Sequence, residues 1–594
     1  MKSKTNDITD VFDTIELNET GEEKSSLKFV SSLNLYLKIF LFKTRQMFSR
    51  NCDKSILGNF LDKIYYAILG LSLKIVATFL MTFSVVSLIL SYFIHLDFQQ
   101  FLINPNTLNC VCTALISLVF FTTKKSIEEI ISSSRIIAPL SIVYTQHSVF
   151  STANNDKNRY GRVSTAFFVG VLAGICSLLF PSSTIVIFLL SLIYCIFIFG
   201  RPECGLLFTI FAIPFFNETT VIFLSILTFA ALLYKYLRGK RHIDFGWVHG
   251  IMPVVLLYVI IRAVNTDKNF ADYQMMLNFI CFFLVCITVA SLVRTTAVLI
   301  RSIKIILTVS RIYSLILVCY IILCSVFSVQ TTNNYLSNFA LSGLASSLYS
   351  SRFILPFISI AFPLNFAMFL GNKKSQNVVK NILFLVLLFL LCVYCASYQM
   401  ILSILVFSIL NIIFVKPKYF FLILPCPAVA YGIVRLRNLI PDKYLISFSE
   451  SINVNSEKVF SAIGDNLLFG VGIGHDTLLT EQGTCCINSS VINLISHIGV
   501  FGFALLIIMA LAIIIKAIKS IYMSSVKLDS ARTIAIGLVC SSLSLIISVV
   551  FCDGLSDFRI VYMFAVVLSL AYSAGRCYDS DYIDMSAVRE YHQF

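Results

Sequence analysis

The chain is 594 residues long, 58% hydrophobic and only 13% charged, with a mean hydropathy of +0.87. Soluble domains carry about 25% charged residues, so composition alone excludes a soluble globular protein. The net charge of +14 does not point to nucleic acid, because the basic residues sit in short connections between apolar runs, where the positive-inside rule accounts for them.

In chain order, residues 1–26 are polar, with an acidic series at Asp7, Asp10, Asp13, Glu16, Glu19, Glu22 and Glu23. No cleavable signal peptide is visible, and the segment reads as a disordered cytoplasmic tail. From Leu27 onward, Phe29, Val30, Leu33, Leu37 and Phe40 recur at helical spacing among Lys28, Lys38, Lys43 and Arg45. This is either a basic amphipathic helix on the inner leaflet or a soluble helix capping the cytoplasmic face. Beyond residue 72 the chain is dominated by apolar runs close to the roughly 17–25 residues that span a bilayer. They fall near 75–96, 107–122, 164–180, 183–200, 204–216, 219–237, 248–263, 273–293, 303–327, 353–371, 380–396, 399–415, 419–434, 490–515, 533–552 and 559–575. The expected fold is an all-α polytopic membrane protein of about 14–16 transmembrane helices with one large extracytoplasmic loop. Its organisation is a tail and amphipathic segment at 1–72, a helix pair and basic loop at 73–163, a helix bundle at 164–434, the large loop at 435–489, and C-terminal helices with a cytoplasmic tail at 490–594.

Loop charges test this order. With the N-terminus inside, the cytoplasmic connections carry Lys124, Lys125, Arg135, Lys157, Arg159 and Arg162, then Lys235, Arg238, Lys240 and Arg241. Later ones carry Arg294, Arg301, Lys304, Lys373, Lys374, Lys380, Lys416, Lys418, Lys516, Lys519, Lys527 and Arg532. The opposite connections at 97–106, 181–182 and 397–398 have no Lys or Arg. One misplaced helix would invert every later assignment, so the agreement supports an even count with both termini cytoplasmic. Two outer segments depart from the sparse pattern: 328–352, which ends in Arg352, and 435–489, which contains Arg435, Arg437, Lys443 and Lys458. A long loop on a rigid scaffold carries function or is disordered, and the Ile, Val, Leu and Phe spread through 435–489 favour a folded lid.

Most of the 18 Cys lie inside apolar runs and read as small hydrophobes. Cys392 and Cys395 form a lone CxxC, and no second CxxC pairs with it, so a zinc or iron–sulfur site has no support.

The informative stretch is Gly470-Val-Gly472-Ile-Gly474-His475-Asp476, followed by Asn488-Ser489 and Gly499-Val-Phe-Gly502. Glycines here permit a tight turn with the backbone close to a bound group. There is no Lys-Ser/Thr as in a P-loop, so phosphate binding and a simple turn re-entering the membrane both stand as readings. The order of features resembles the O-antigen ligase/polymerase superfamily. Asp465-Asn-Leu-Leu-Phe-Gly470-Val-Gly-Ile-Gly474 is similar to the family's D-x-P-L-F-G-x-G-x-G segment of the large loop. Asn488-Ser489, nine residues, then Gly499-Val-Phe-Gly502 keeps the family spacing into the next helix. Arg201-Pro202-Glu203 with Gly205-Leu206 and Pro214-Phe215 resembles its early helix pair, and Asp557-Phe-Arg559-Ile the motif before its last helix. The likeness covers about residues 160–576. The chain departs from the pattern at Asn488, where the family has His, at Leu467, where it has Pro, and at Ser397-Tyr398, where an Arg often follows.

The resemblance implies a bacterial cytoplasmic-membrane enzyme that transfers a glycan from an undecaprenyl-diphosphate-linked donor to the hydroxyl of an acceptor glycan. It implies no metal and no cofactor, which matches the lack of an outward Asp-x-Asp cluster. Such chemistry needs cations on the diphosphate and a base for the acceptor proton. The candidate cations are Arg352, Arg435, Arg437 and Arg559, each of which also reads as an interfacial anchor. The glycines Gly470, Gly472 and Gly474 are candidate substrate contacts. Asn488 cannot act as a general base, which leaves His475 on the loop beside Asp476, and His497 in the next helix, where it also reads as a satisfied polar group. Membrane lipid and other polysaccharide-assembly proteins are the remaining expected partners. Two other readings stay open. One is a transporter or lipid flippase, which would need ionisable residues deep in the bundle and an internal repeat. No repeat is visible, and Arg311, two turns into its expected helix, is the main deep charge. The other is an inactive homologue partnering an active polymerase, suggested by Asn488.

Overall fold

The computed structural model describes residues 71–95, 105–123, 159–177, 197–238, 247–264, 272–326, 351–371, 375–394, 398–418, 467–470, 490–523, 529–551 and 557–578, with isolated positions between them. The tail and amphipathic segment, most of the spans expected at 183–200 and 419–434, and most of the 435–489 loop lie outside the described residues.

Among the described residues the architecture is helical, with fourteen α-helices. They are α1 (Leu73–His95), α2 (Pro105–Phe121), α3 (Arg159–Cys176), α4 (Pro202–Ala212), α5 (Glu218–Leu237), α6 (Trp247–Val264) and α7 (Asp272–Leu292). They continue with α8 (Thr296–Val326), α9 (Ser351–Gly371), α10 (Ser375–Tyr394), α11 (Tyr398–Val415), α12 (Ser490–Met523), α13 (Asp529–Phe551) and α14 (Phe558–Tyr578). Their apolar residues do not form one inward stripe. Phe93, Val119, Phe168, Val379 and Leu383 are each more than 60% exposed, on faces that a soluble protein would cover with charge. Helices that are apolar outside as well as inside are solvated by lipid, so the chain is an integral membrane protein. Five are long and apolar enough to cross a membrane, at Leu73–Phe93, Glu218–Leu237, Val298–Cys319, Phe353–Gly371 and Leu494–Lys519, and eight further apolar helices are shorter.

The packing is driven by small and hydroxylated residues, as lipid provides no hydrophobic drive between helices. A Cβ on Gly174 of α3 would lie 2.7 Å from Val86 of α1, and one on Gly537 of α13 would lie 2.7 Å from Ala367 of α9. Between α9 and α13, Ser359 donates to Ser548 at 3.1 Å, and between α11 and α13 the Ser403 and Ser544 hydroxyls pair at 3.2 Å. By its contacts α3 groups with α1 and α2. At the centre of the larger bundle stands α14, which touches α5, α7, α8, α9, α12 and α13 and is buried along almost its whole length from Phe558 to Ala574.

Two helices differ from expectation. The run expected at 303–327 begins a full two turns earlier, at Thr296, so Arg311 sits at mid-helix. The last helices expected at 490–515 and 559–575 are present, but α12 is broken at Gly499, where φ is 72° and ψ 172°.

Candidate functional site

The break in α12 organises one end of the bundle. From Ser490 to Met523 the sequence is predominantly apolar and gives no Pro to stop a helix. A helix interrupted at Gly499 frees the His497 and Ile498 carbonyls and the Val500 and Phe501 amides, none of which can be left unpaired in the membrane. The glycine loop supplies the partners. Val500 and Phe501 donate their amides to the Leu467 and Leu468 carbonyls, both at 3.1 Å, and the Gly472 amide donates to the His497 carbonyl at 3.1 Å. The Ile498 carbonyl accepts the Tyr258 hydroxyl of α6 at 2.8 Å.

Two glycines make the approach possible. Gly470 has φ 75° and Gly499 φ 72°, both left-handed. A Cβ on Gly470 would lie 2.6 Å from the His497 carbonyl oxygen, and one on Gly499 would lie 2.6 Å from the Gly470 amide and closer still to the Leu468 carbonyl. The loop backbone and the helix break are pressed together with no room for a side chain.

Two ionisable side chains bond to the loop backbone. His497, 4% exposed, bonds through Nδ1 to the Gly472 carbonyl at 3.1 Å. A carbonyl only accepts, so Nδ1 carries the proton, and in the neutral ring Nε2 is the basic nitrogen. Arg262, half-buried near the end of α6, donates Nη2 to the Gly470 carbonyl, while its Nε is buried without a partner. No carboxylate pairs with Arg262 among the described residues.

A second cluster forms at the start of α14, a helix that packs against α12 and is joined to it by a Lys516–Tyr572 bond at 3.4 Å. Here Asp557 caps α14 by accepting the Arg559 amide at 2.9 Å and takes the Arg559 guanidinium in a bidentate pair, Nε to the two oxygens at 3.0 and 3.1 Å with Nη2 also on Oδ2. The pair is buried, and the guanidinium lies 4.4 Å from the Phe353 ring of α9. Glu218, first residue of α5, accepts the Phe558 amide at 2.8 Å. The starts of α5, α9 and α14 therefore meet in this cluster.

The structure thus brings together Gly470, Gly472 and His497 in one cluster, while Arg559 is held in its own buried pair with Asp557. Arg352 is the second residue of α9, adjacent in sequence to the Phe353 that Arg559 covers. His475, Gly474, Asn488, Arg435 and Arg437 lie outside the described residues. Of the expected substrate contacts, the Gly470 carbonyl and both backbone polar groups of Gly472 are engaged within the protein, and the charge of Arg559 is already matched by Asp557. Tyr258, Arg262, Glu218 and Asp557 were not singled out as site residues by sequence reasoning. Arg262 had a signal, a basic residue at a helix end on the side where basic residues are scarce.

No family model, curated protein or solved structure matches this chain. What the fold defines is the class, an all-α integral membrane protein.

Proposed function

We propose that this protein transfers a glycan from a polyprenyl-diphosphate-linked donor to an acceptor sugar hydroxyl, at the end of the bundle where α12 is broken. One observation carries the reading. A histidine of fixed tautomer and an arginine without a carboxylate partner among the described residues grip the same glycine loop, His497 at the Gly472 carbonyl and Arg262 at the Gly470 carbonyl. The order of motifs along the chain supports it independently.

In this mechanism the acceptor oxygen attacks the anomeric carbon of the donor sugar. The bond from that carbon to the diphosphate oxygen breaks, and the polyprenyl diphosphate leaves with the electron pair. His497 takes the acceptor proton at Nε2, its Nδ1–H held by the Gly472 carbonyl, which orients the ring. Arg262 stabilises the charge that develops on the departing diphosphate, and Arg352 at the start of α9 is the second cation available to it. Arg559, paired with Asp557, holds α14 against α9 and positions that start. The protein sits in the bacterial cytoplasmic membrane with both termini inside, and the reacting end faces out.

The test is release of the carrier. Purified full-length protein is incubated with an undecaprenyl-diphosphate-linked oligosaccharide and a free acceptor glycan, and lipid products are separated by chromatography. Acceptor-dependent appearance of undecaprenyl diphosphate with a lengthened glycan supports the reading. Intact donor after prolonged incubation, or donor moved across a vesicle bilayer without cleavage, overturns it, the latter in favour of a transporter.

A further inference from the structure

A second charged feature lies deeper in the bundle, on helices remote from the break. Between Asp272 and Asp442 the chain runs for 169 residues (273–441) without a single Asp or Glu, yet it carries twelve Arg and Lys. Helices α8 to α11 all fall inside this stretch, so they contain no acid to neutralise a base among them. Arg311 is the fourteenth residue of the apolar stretch Val298–Cys319 of α8. Its Nη2 donates to Asn381 Oδ1 of α10 at 2.8 Å, its guanidinium carbon lies 5.5 Å from the Phe384 ring centroid, and its Nε is buried without a partner. Of the helices packed closely against α8, α4 carries an acid, Glu203, which sits beside Cys204 together with Arg201 and Arg301. Arg301 is ten residues before Arg311, about 15 Å along the helix. Among the described residues, then, no carboxylate pairs with Arg311.

An arginine at that depth with no protein counter-charge is costly in hydrocarbon and marks a site for an external anion. The surroundings say which anion. Lys304 and Thr308, seven and three residues before Arg311, are exposed on the same helical face, and Lys380, next to Asn381, is exposed on α10. Asn381 is six residues into α10, about 9 Å from its start. Lys304 and Lys380 stand nearer the starts of their helices than Arg311 does, so positive charge runs from the helix starts into the apolar zone. Flanking it are exposed apolar walls, Ile312, Leu315 and Ile316 on α8 and Ile382, Leu383 and Val386 on α10. A soluble phosphate would have no use for such walls, whereas acyl chains would lie along them.

We propose that the seam between α8 and α10 binds the phosphate of an anionic phospholipid, with Arg311 and Asn381 as its deep contacts and Lys304 and Lys380 at its rim. The guanidinium fork matches a phosphodiester, and basic pockets between membrane helices take anionic headgroups in this manner. The assignment does not depend on glycan transfer.

The experiment is native mass spectrometry of the full-length protein released from neutral detergent, titrated with phosphatidylglycerol or with phosphatidylcholine of the same chains, each with and without inorganic phosphate. Wild type should retain phosphatidylglycerol in preference, and Arg311→Gln should cut its occupancy about tenfold, the loss expected for one charge-assisted hydrogen bond. Unchanged occupancy in Arg311→Gln, or no preference over phosphatidylcholine, overturns the proposal. Displacement of phosphatidylglycerol by millimolar inorganic phosphate also overturns it, in favour of a soluble anion. Should Arg311→Gln fail to accumulate, the exposed pair Lys304→Gln/Lys380→Gln carries the test. Its phosphatidylglycerol occupancy should fall, and an unchanged value overturns the site.

Discussion

Gly499→Ala tests whether the break in α12 and the glycine loop form one unit. The wild-type loop is docked by the Val500, Phe501 and Gly472 amides and the His497 Nδ1 bond, each worth about 1 kcal/mol, and by the charge-assisted Arg262 bond, worth about 2 kcal/mol. Detaching it therefore costs about 6 kcal/mol on those terms. An alanine at φ 72° and ψ 172° occupies a region that only glycine adopts easily, at about 1–3 kcal/mol of strain. Its Cβ would also press on the Leu468 carbonyl and the Gly470 amide, which are backbone and cannot swing aside. The docked state should rise by about 2–4 kcal/mol, so the Val500 and Phe501 amides should exchange with deuterium about 30- to 1,000-fold faster. Hydrogen exchange read on peptides covering 497–503 in detergent measures this. Gly432→Ala is the control, because a Cβ there meets nothing within 4 Å. Wild-type protection at Val500 and Phe501 in Gly499→Ala would refute the claim that the loop completes the hydrogen bonding of the break.

Breaking the Asp557–Arg559 pair from either side leaves a buried charge, so Asp557→Ala and Arg559→Ala should each destabilise by about 3–5 kcal/mol, and the double Asp557→Ala/Arg559→Ala by less than the sum, as read by thermal denaturation in detergent. Tyr258→Phe removes one hydrogen bond from the Ile498 carbonyl and should cost about 1 kcal/mol in the same assay, with no change in membrane insertion. For topology, a cysteine at Ser451 should react with an impermeant thiol reagent in intact cells and one at Ser375 should not. Labelling of the Ser375 site from outside would contradict the proposed orientation.

Helix positions were legible because lipid-solvated helices are apolar on all sides, so α1, α9 and α14 read directly from hydropathy. The basic connections were legible for the same reason, since charge avoids everywhere else. The tight turn at Gly470 and Gly472 was readable from glycine spacing. The kink at Gly499 was not, because nothing local interrupts Ser490–Met523, and the break persists only where a distant loop completes its hydrogen bonds. Arg262 meets Gly470 across 208 residues, a pairing no local pattern encodes. Arg559 is a different case. Its partner Asp557 lies two residues away in the same motif, so a buried ion pair is within reach of the sequence. Arg311 was misjudged in depth because Arg301 and Lys304 made the first turns of α8 look like a connection, where the structure continues the helix.

The central claim, that His497 acts as the base at the broken helix, is tested most directly by single-turnover glycan transfer with wild-type protein, His497→Ala and His475→Ala, with folding checked by hydrogen exchange at Val500. The account predicts that His497→Ala slows transfer about a hundred- to ten-thousand-fold while the loop stays protected, and that His475→Ala does less. Transfer at the wild-type rate in His497→Ala, with the loss falling on His475→Ala, would contradict it.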